Sequence, residues 1–123
     1  MRYGSLLLRT TAFAVLLFVA NTARPAELYV GAATADVTPP DGAPLTGYHD
    51  VRFSRGVHSP LKAVVLALES REGEKVVDQA ILIACDQCVI RPGVQDGFRK
   101  YLGDRLTGFD LEKLVMAATH THC

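Results

Sequence analysis

The chain has no tryptophan and no excess of charge. Its 13 lysines and arginines balance 13 aspartates and glutamates, for a formal net charge of zero. That balance offers no basic stripe of the kind that meets nucleic acid, so no nucleic-acid partner is expected. Disorder is excluded too, because 49% of the 123 residues are apolar and unfolded chains combine low hydrophobicity with high net charge. Cysteine is scarce and odd in number, at three. The thiols cannot all pair within the chain, so at least one is free, metal-bound or paired elsewhere. No internal repeat or low-complexity stretch is present.

What is present begins with a leader. Arg2 and Arg9 give a positive start, and Thr11 to Ala20 is an apolar run. The run is well short of the roughly 20 residues that a membrane-spanning helix needs. Residues 1–23 therefore read as a signal peptide, cleaved after Ala23 or Ala26, which implies a secreted or periplasmic product. The remaining stretch, 27–123, is long enough for one small domain at most.

Leu28 to Thr38 predicts a strand, broken by Pro39-Pro40-Asp41-Gly42-Ala43-Pro44, since proline lacks the ladder donor and fixes φ. A loop follows to about Gly56. Leu61–Glu69 and Val76–Ala84 predict two strands joined by the charged turn Arg71-Glu72-Gly73-Glu74, hence an antiparallel hairpin. The uninterrupted apolar run Ala80–Ala84 suggests a strand covered on both faces. Pro92 to Leu106 predicts a helix, with Val94, Phe98, Tyr101, Leu102 and Leu106 at three- and four-residue spacing and Gly108 available as a cap. Leu114–Ala118 is the next strand. Strand, helix, strand in this order is a βαβ unit with parallel strands. The fold class is α/β, with a mixed sheet.

His120 and His122 carry the chemistry. In extended backbone, residues i and i+2 project to the same side. A His-x-His at the tip of a covered strand therefore aims two imidazoles at one point outside the strand's carboxyl end, where open α/β sheets place their sites. Imidazole suits Zn²⁺, and catalytic zinc takes three protein ligands and a water, whose pKa it lowers while polarising a carbonyl. Asp86 ends the preceding buried strand at the same sheet edge and is a second candidate catalytic residue, its alternative role being to cap the following loop. His58 reads as a loop histidine bonded to backbone, its alternative being to line the site, and the His49-Asp50 pair reads as loop residues, its alternative being an acid-base couple. Asp36 serves the turn into Thr38.

Cys85-Asp86-Gln87-Cys88 follows a buried strand without the neighbours of a redox motif, so Cys85 reads as a small buried hydrophobe. Two rival functions stay open. One is a structural zinc site built from Cys85, Cys88, His120 and His122, although structural pairs favour His-x₃₋₅-His. The other is a secreted binding domain without chemistry.

Three segments together resemble the neutral/alkaline, non-lysosomal ceramidases. Val30 to Pro40 with Leu45-Thr46-Gly47-Tyr48 resembles that family's opening strand and loop. Gly56-Val57-His58-Ser59-Pro60-Leu61-Lys62-Ala63 resembles its next strand start, and Ala118-Thr119-His120-Thr121-His122 its histidine strand end. The resemblance spans Val30 to His122 with order and spacing kept. It implies the N-terminal section of a larger catalytic domain, truncated here and so inactive alone. The implied enzyme hydrolyses the amide of N-acylsphingosine (ceramide) to sphingosine and a fatty acid with one zinc. It meets this sphingolipid at a membrane surface only transiently. His120 would be a zinc ligand and His122 its active-site neighbour. The other ligands (a histidine, a glutamate and a tyrosine) and an active-site serine would lie further along. One departure is plain: Cys123 stands where the family places a serine.

Overall fold

A computed structural model describes residues 25–122. Residues 1–23, the expected signal peptide, and Cys123 lie outside the described residues. The main sheet has four strands in the order β1-β4-β5-β6, with β1 at Glu27–Asp36, β4 at Lys62–Glu72, β5 at Lys75–Cys85 and β6 at Leu114–Ala118. The loop after β1 holds a small antiparallel pair, β2 (Pro44–Leu45) and β3 (Arg52–Phe53), which the proline-rich composition did not suggest.

The β4–β5 hairpin turns on Gly73, whose φ is 63°, a left-handed conformation that glycine adopts without steric cost. β1 and β4 are antiparallel, as are β4 and β5, while β5 and β6 are parallel. The sheet is mixed, and β5, the helix α1 (Pro92–Leu102) and β6 form the expected βαβ unit. Three strands, β1, β5 and β6, thus run the same way. Their carboxyl ends open on one edge, and that edge carries the site.

The core is small. Ala63, Ile83, Cys85 and Leu114 are buried, with Val65, Ile81, Phe98, Leu102 and Met116 packed against them. These residues share the sheet face that α1 covers. The other face is apolar and open: Leu28, Val30, Val64, Leu82 and Val115 are all exposed. The uninterrupted apolar run of β5 is therefore covered on one side within the described residues, with Ile83 buried and Leu82 exposed.

α1 starts at Pro92, whose missing N–H costs nothing in a first turn, and ends at Leu102, four residues short of the expected Leu106. Gly103 closes it, its N–H reaching the Lys100 carbonyl at 3.4 Å; glycine is a poor helix former because it loses the most backbone freedom. The helix rests on Phe98 and Leu102, while Val94 and Tyr101 stay exposed. The face towards β6 is polar instead. Gln95 Oε1 accepts the Met116 N–H at 2.9 Å, and Arg99 Nη2 donates to the Leu114 and Glu112 carbonyls at 3.0 and 3.2 Å. β6 is an edge strand. These helix side chains satisfy backbone groups that an edge leaves unpaired. Asp78 of β5 pairs with Lys113, at the end of a 3₁₀ turn just before β6.

Candidate metal site

Three loops meet at the carboxyl edge of the sheet. One follows β1 and brings Gly47 and Tyr48. The second follows β5 and brings Asp86 and Cys88. The third follows β6 and brings Thr119 to His122.

The loop after β6 is held from below. The Thr119 N–H bonds the Cys85 carbonyl at 2.9 Å, prolonging the β5–β6 pairing by one rung. Thr119 Oγ1 lies 3.2 Å from Asp86 Oδ1 and 2.7 Å from Thr121 Oγ1. The other Asp86 oxygen accepts the Lys62 N–H at 3.0 Å, and the Asp86 N–H returns a bond to the Lys62 carbonyl at 2.8 Å. Asp86 therefore ties the start of β4 to the histidine loop. It faces the sheet edge, as expected, with both oxygens engaged, and it does not reach the imidazoles.

The histidines converge by a route different from the expected one. β6 ends at Ala118, and His120 has a φ of 64°, so the backbone there is left-handed rather than extended. Left-handed conformation costs a side-chain-bearing residue roughly 1–2 kcal/mol, and it survives only where the surroundings over-determine it. Here the Thr119 bonds fix one side, and the Cys88 carbonyl, 2.8 Å from His120 Nδ1, fixes the other. A carbonyl can only accept, so Nδ1 carries the proton and Nε2 offers its lone pair. The two Nε2 atoms lie 3.2 Å apart, and the ring centroids 4.7 Å.

Cys88 joins them. Its Sγ is 3.6 Å from His122 Nε2 and 4.0 Å from His120 Nδ1. Cys88, His120 and His122 each offer a ligand atom within 4.8 Å of the others, close enough to hold one metal ion. Cys85 does not take part. It is 5% exposed among Ala63, Ile83 and Leu114, and burial, followed by the neighbouring Asp86 charge, holds its thiol above the usual range. The four-ligand arrangement of Cys85, Cys88, His120 and His122 is thus not formed. His49 and His58 are exposed and stand outside the group.

Two residues of the β1 loop were not singled out by spacing. Tyr48 donates its hydroxyl to the His122 carbonyl at 3.1 Å, and its ring meets the imidazole edge to face. Gly47, with φ of 99°, lies directly against the His122 ring. The signal was in the sequence as Gly47-Tyr48, but only the turn of the loop shows what it touches.

Beside Cys88 a cleft of about 250 Å³ runs between the β1 and β5 loops, lined by Val37, Pro44, Leu45, Asp86, Cys88 and Thr121 among others. A larger open hollow of about 900 Å³ lies at the opposite end of the sheet, around Tyr29, Glu69, Gln79 and Lys113. It is lined by no histidine or cysteine, whereas the smaller cleft is lined by Cys88 and Asp86 and reaches Thr121 of the histidine loop.

The chain matches no protein-family model and no curated protein. It is similar to the solved structure of neutral ceramidase from Pseudomonas aeruginosa, with a TM-score of 0.69 and 21% identity. The match covers 80% of this chain and 16% of that one. At such identity the likeness is one of fold, and the chain spans about a sixth of that protein's length.

Proposed function

We propose that this chain forms the metal-bearing corner of a zinc-dependent amidohydrolase resembling neutral ceramidase, one that splits N-acylsphingosine into sphingosine and a fatty acid. The observation that carries the reading is the meeting of His120 and His122, Nε2 to Nε2 at 3.2 Å, outside the carboxyl end of β6. The likeness of fold to a neutral ceramidase supports the choice of reaction. Both histidines are exposed, which suits a centre open to substrate better than a closed structural site.

Zinc bound there would supply a Lewis acid for the amide carbonyl and a lowered pKa for water. The residues of this chain do the positioning. His120 is the ligand, its tautomer set by the Cys88 carbonyl. His122 stands beside it for proton transfer or ligation, held through its own carbonyl by Tyr48. Asp86 acts on the site through Thr119. The adjoining cleft has a mixed lining, with Val37, Pro44 and Leu45 on one side and Asp86, Cys88 and Thr121 on the other, so it could seat an amide beside an apolar part. Residues 1–23, read as a signal peptide from Arg2, Arg9 and the apolar run Thr11 to Ala20, would send the product to the periplasm or beyond the cell.

The test is fatty-acid release from N-acylsphingosine by the natural product that carries this sequence. Release is expected to stop with a chelator, to return with Zn²⁺, and to be lost in His120→Ala. Release indifferent to both treatments would end the metal reading. Metal-dependent cleavage of other amides, with N-acylsphingosine untouched, would end the substrate assignment.

A further inference from the structure

We propose that Cys88 is itself a metal ligand, completing with His120 and His122 a Cys-His-His site for a thiophilic divalent ion. The inference rests on reading the histidine pair as a metal site. It departs from the family resemblance, which places only one ligand, His120, in this stretch and gives sulfur no part.

The geometry supports three ligands rather than two. Zinc sits about 2.0–2.1 Å from imidazole nitrogen and about 2.3 Å from thiolate sulfur. At tetrahedral angles those lengths separate two nitrogens by about 3.3 Å, and a nitrogen from a sulfur by about 3.6 Å. The observed separations are 3.2 Å between the two Nε2 atoms and 3.6 Å from His122 Nε2 to Cys88 Sγ. Two edges of the coordination tetrahedron are therefore already drawn by side chains of this chain. On the third side Cys88 Sγ stands 4.0 Å from Nδ1 of the His120 ring, and the three residues group within 4.8 Å.

The surroundings agree. Metal-bound histidines usually donate their other ring N–H to a carbonyl or carboxylate, which orients the ring. His120 does so, and the carbonyl belongs to Cys88. One residue thus supplies a ligand sulfur and sets the tautomer of a second ligand. Parallel pairing of β5 and β6 places both loops at the same edge, so the grouping follows from the fold. A thiolate with two imidazoles selects zinc, cobalt or cadmium over magnesium and calcium, which prefer oxygen. The fourth vertex is left to a group not supplied by these three side chains.

The experiment uses the full chain with each metal alone. Co²⁺ is expected to give tetrahedral visible bands together with a thiolate-to-cobalt charge-transfer band. Zn²⁺ and Cd²⁺ should displace it, and excess Mg²⁺ or Ca²⁺ should not. Cys88→Ser should remove the charge-transfer band and weaken Zn²⁺ binding beyond the about 10–100-fold typical of losing an outer-shell partner. Cys88→His should restore the affinity without the band, and Cys85→Ser should leave both unchanged. A charge-transfer band that persists in Cys88→Ser, or Zn²⁺ affinity that is unaltered, would overturn the assignment of Cys88 while leaving the histidine reading intact. Zn²⁺ affinity unaltered in His120→Ala would overturn both.

Discussion

Replacing Gly47 by alanine tests how tightly the β1 loop fixes the site. A Cβ on Gly47 would stand 2.6 Å from Cε1 and 2.8 Å from Cγ of His122, and closer still to Nδ1. Non-bonded heavy atoms rest at about 3.5–4.0 Å, so the ring must retreat by about 1 Å. Metal sites tolerate ligand displacements of about 0.2 Å. The ring is also held by Tyr48 on its own carbonyl, so it cannot follow freely. Zn²⁺ affinity should fall about 10–100-fold, the loss typical of disturbed ligand support. The φ of 99° at Gly47 adds a backbone cost of roughly 1–2 kcal/mol for alanine. Gly42→Ala separates the two effects. Its φ is 81° and nothing lies within 4 Å of the added carbon, so it bears a comparable backbone cost with no ring to strike. The assay is competition with a chromophoric chelator, beside urea unfolding of each variant. Equal metal affinities in Gly47→Ala and Gly42→Ala would refute the reasoning.

Three other outcomes follow from the same geometry. Gln95→Leu should cost about 1–3 kcal/mol in urea unfolding, because the part-buried Met116 N–H loses its acceptor; Gln95→Glu, which keeps an oxygen there, should retain most of the stability. Iodoacetamide, followed by peptide mapping, should modify half-buried Cys88 before Cys85, whose thiol is buried and held in its protonated form, and Zn²⁺ should protect Cys88 selectively. Asp78 is held below the usual carboxylate range, first by the Lys113 ammonium and then by the Gln79 N–H, while Lys113 is held above its own range by Asp78. A depressed acid stabilises above its unfolded pKa and loses that contribution as pH falls through its folded value. A raised base does the reverse at the alkaline end. The advantage in melting temperature of the native chain over Asp78→Asn should therefore be largest between roughly pH 4 and pH 10, and should vanish beyond both limits. A difference that persists in acid would exclude the ion pair as its source.

Much of the fold was legible because the signals were local. Apolar runs marked β4 and β5, Gly73 the turn between them, and Pro92 the helix start. The order strand, helix, strand fixed the parallel pairing of β5 and β6. What stayed hidden depends on partners distant in sequence. Gln95 and Arg99 stand between the apolar positions of the helix pattern with nothing local to mark a partner, yet they bond the edge of β6. Val94 and Tyr101 kept helical spacing with the core residues but lie outside the contact. The helix ended early at Gly103, where flexibility outweighed the apolar residue three positions on.

The site shows the same division more sharply. His-x-His predicted convergence, and the rings do converge, but through a left-handed His120 rather than through strand alternation. Alternation would have made the geometry a property of two residues and their backbone. The observed turn makes it depend on Thr119, Asp86 and the Cys88 carbonyl together, since each removes one freedom the loop would otherwise have. Cys88 was visible in the sequence only as half of a pair with Cys85. A three-residue spacing across the end of a strand sends one thiol into the core and leaves the other in the loop. Once the strands are parallel, that loop must emerge beside the histidines. The placement of Cys88 is thus a consequence of topology, and a variant that preserves the βαβ unit but shortens the loop after β5 by one residue should draw the sulfur away from both rings.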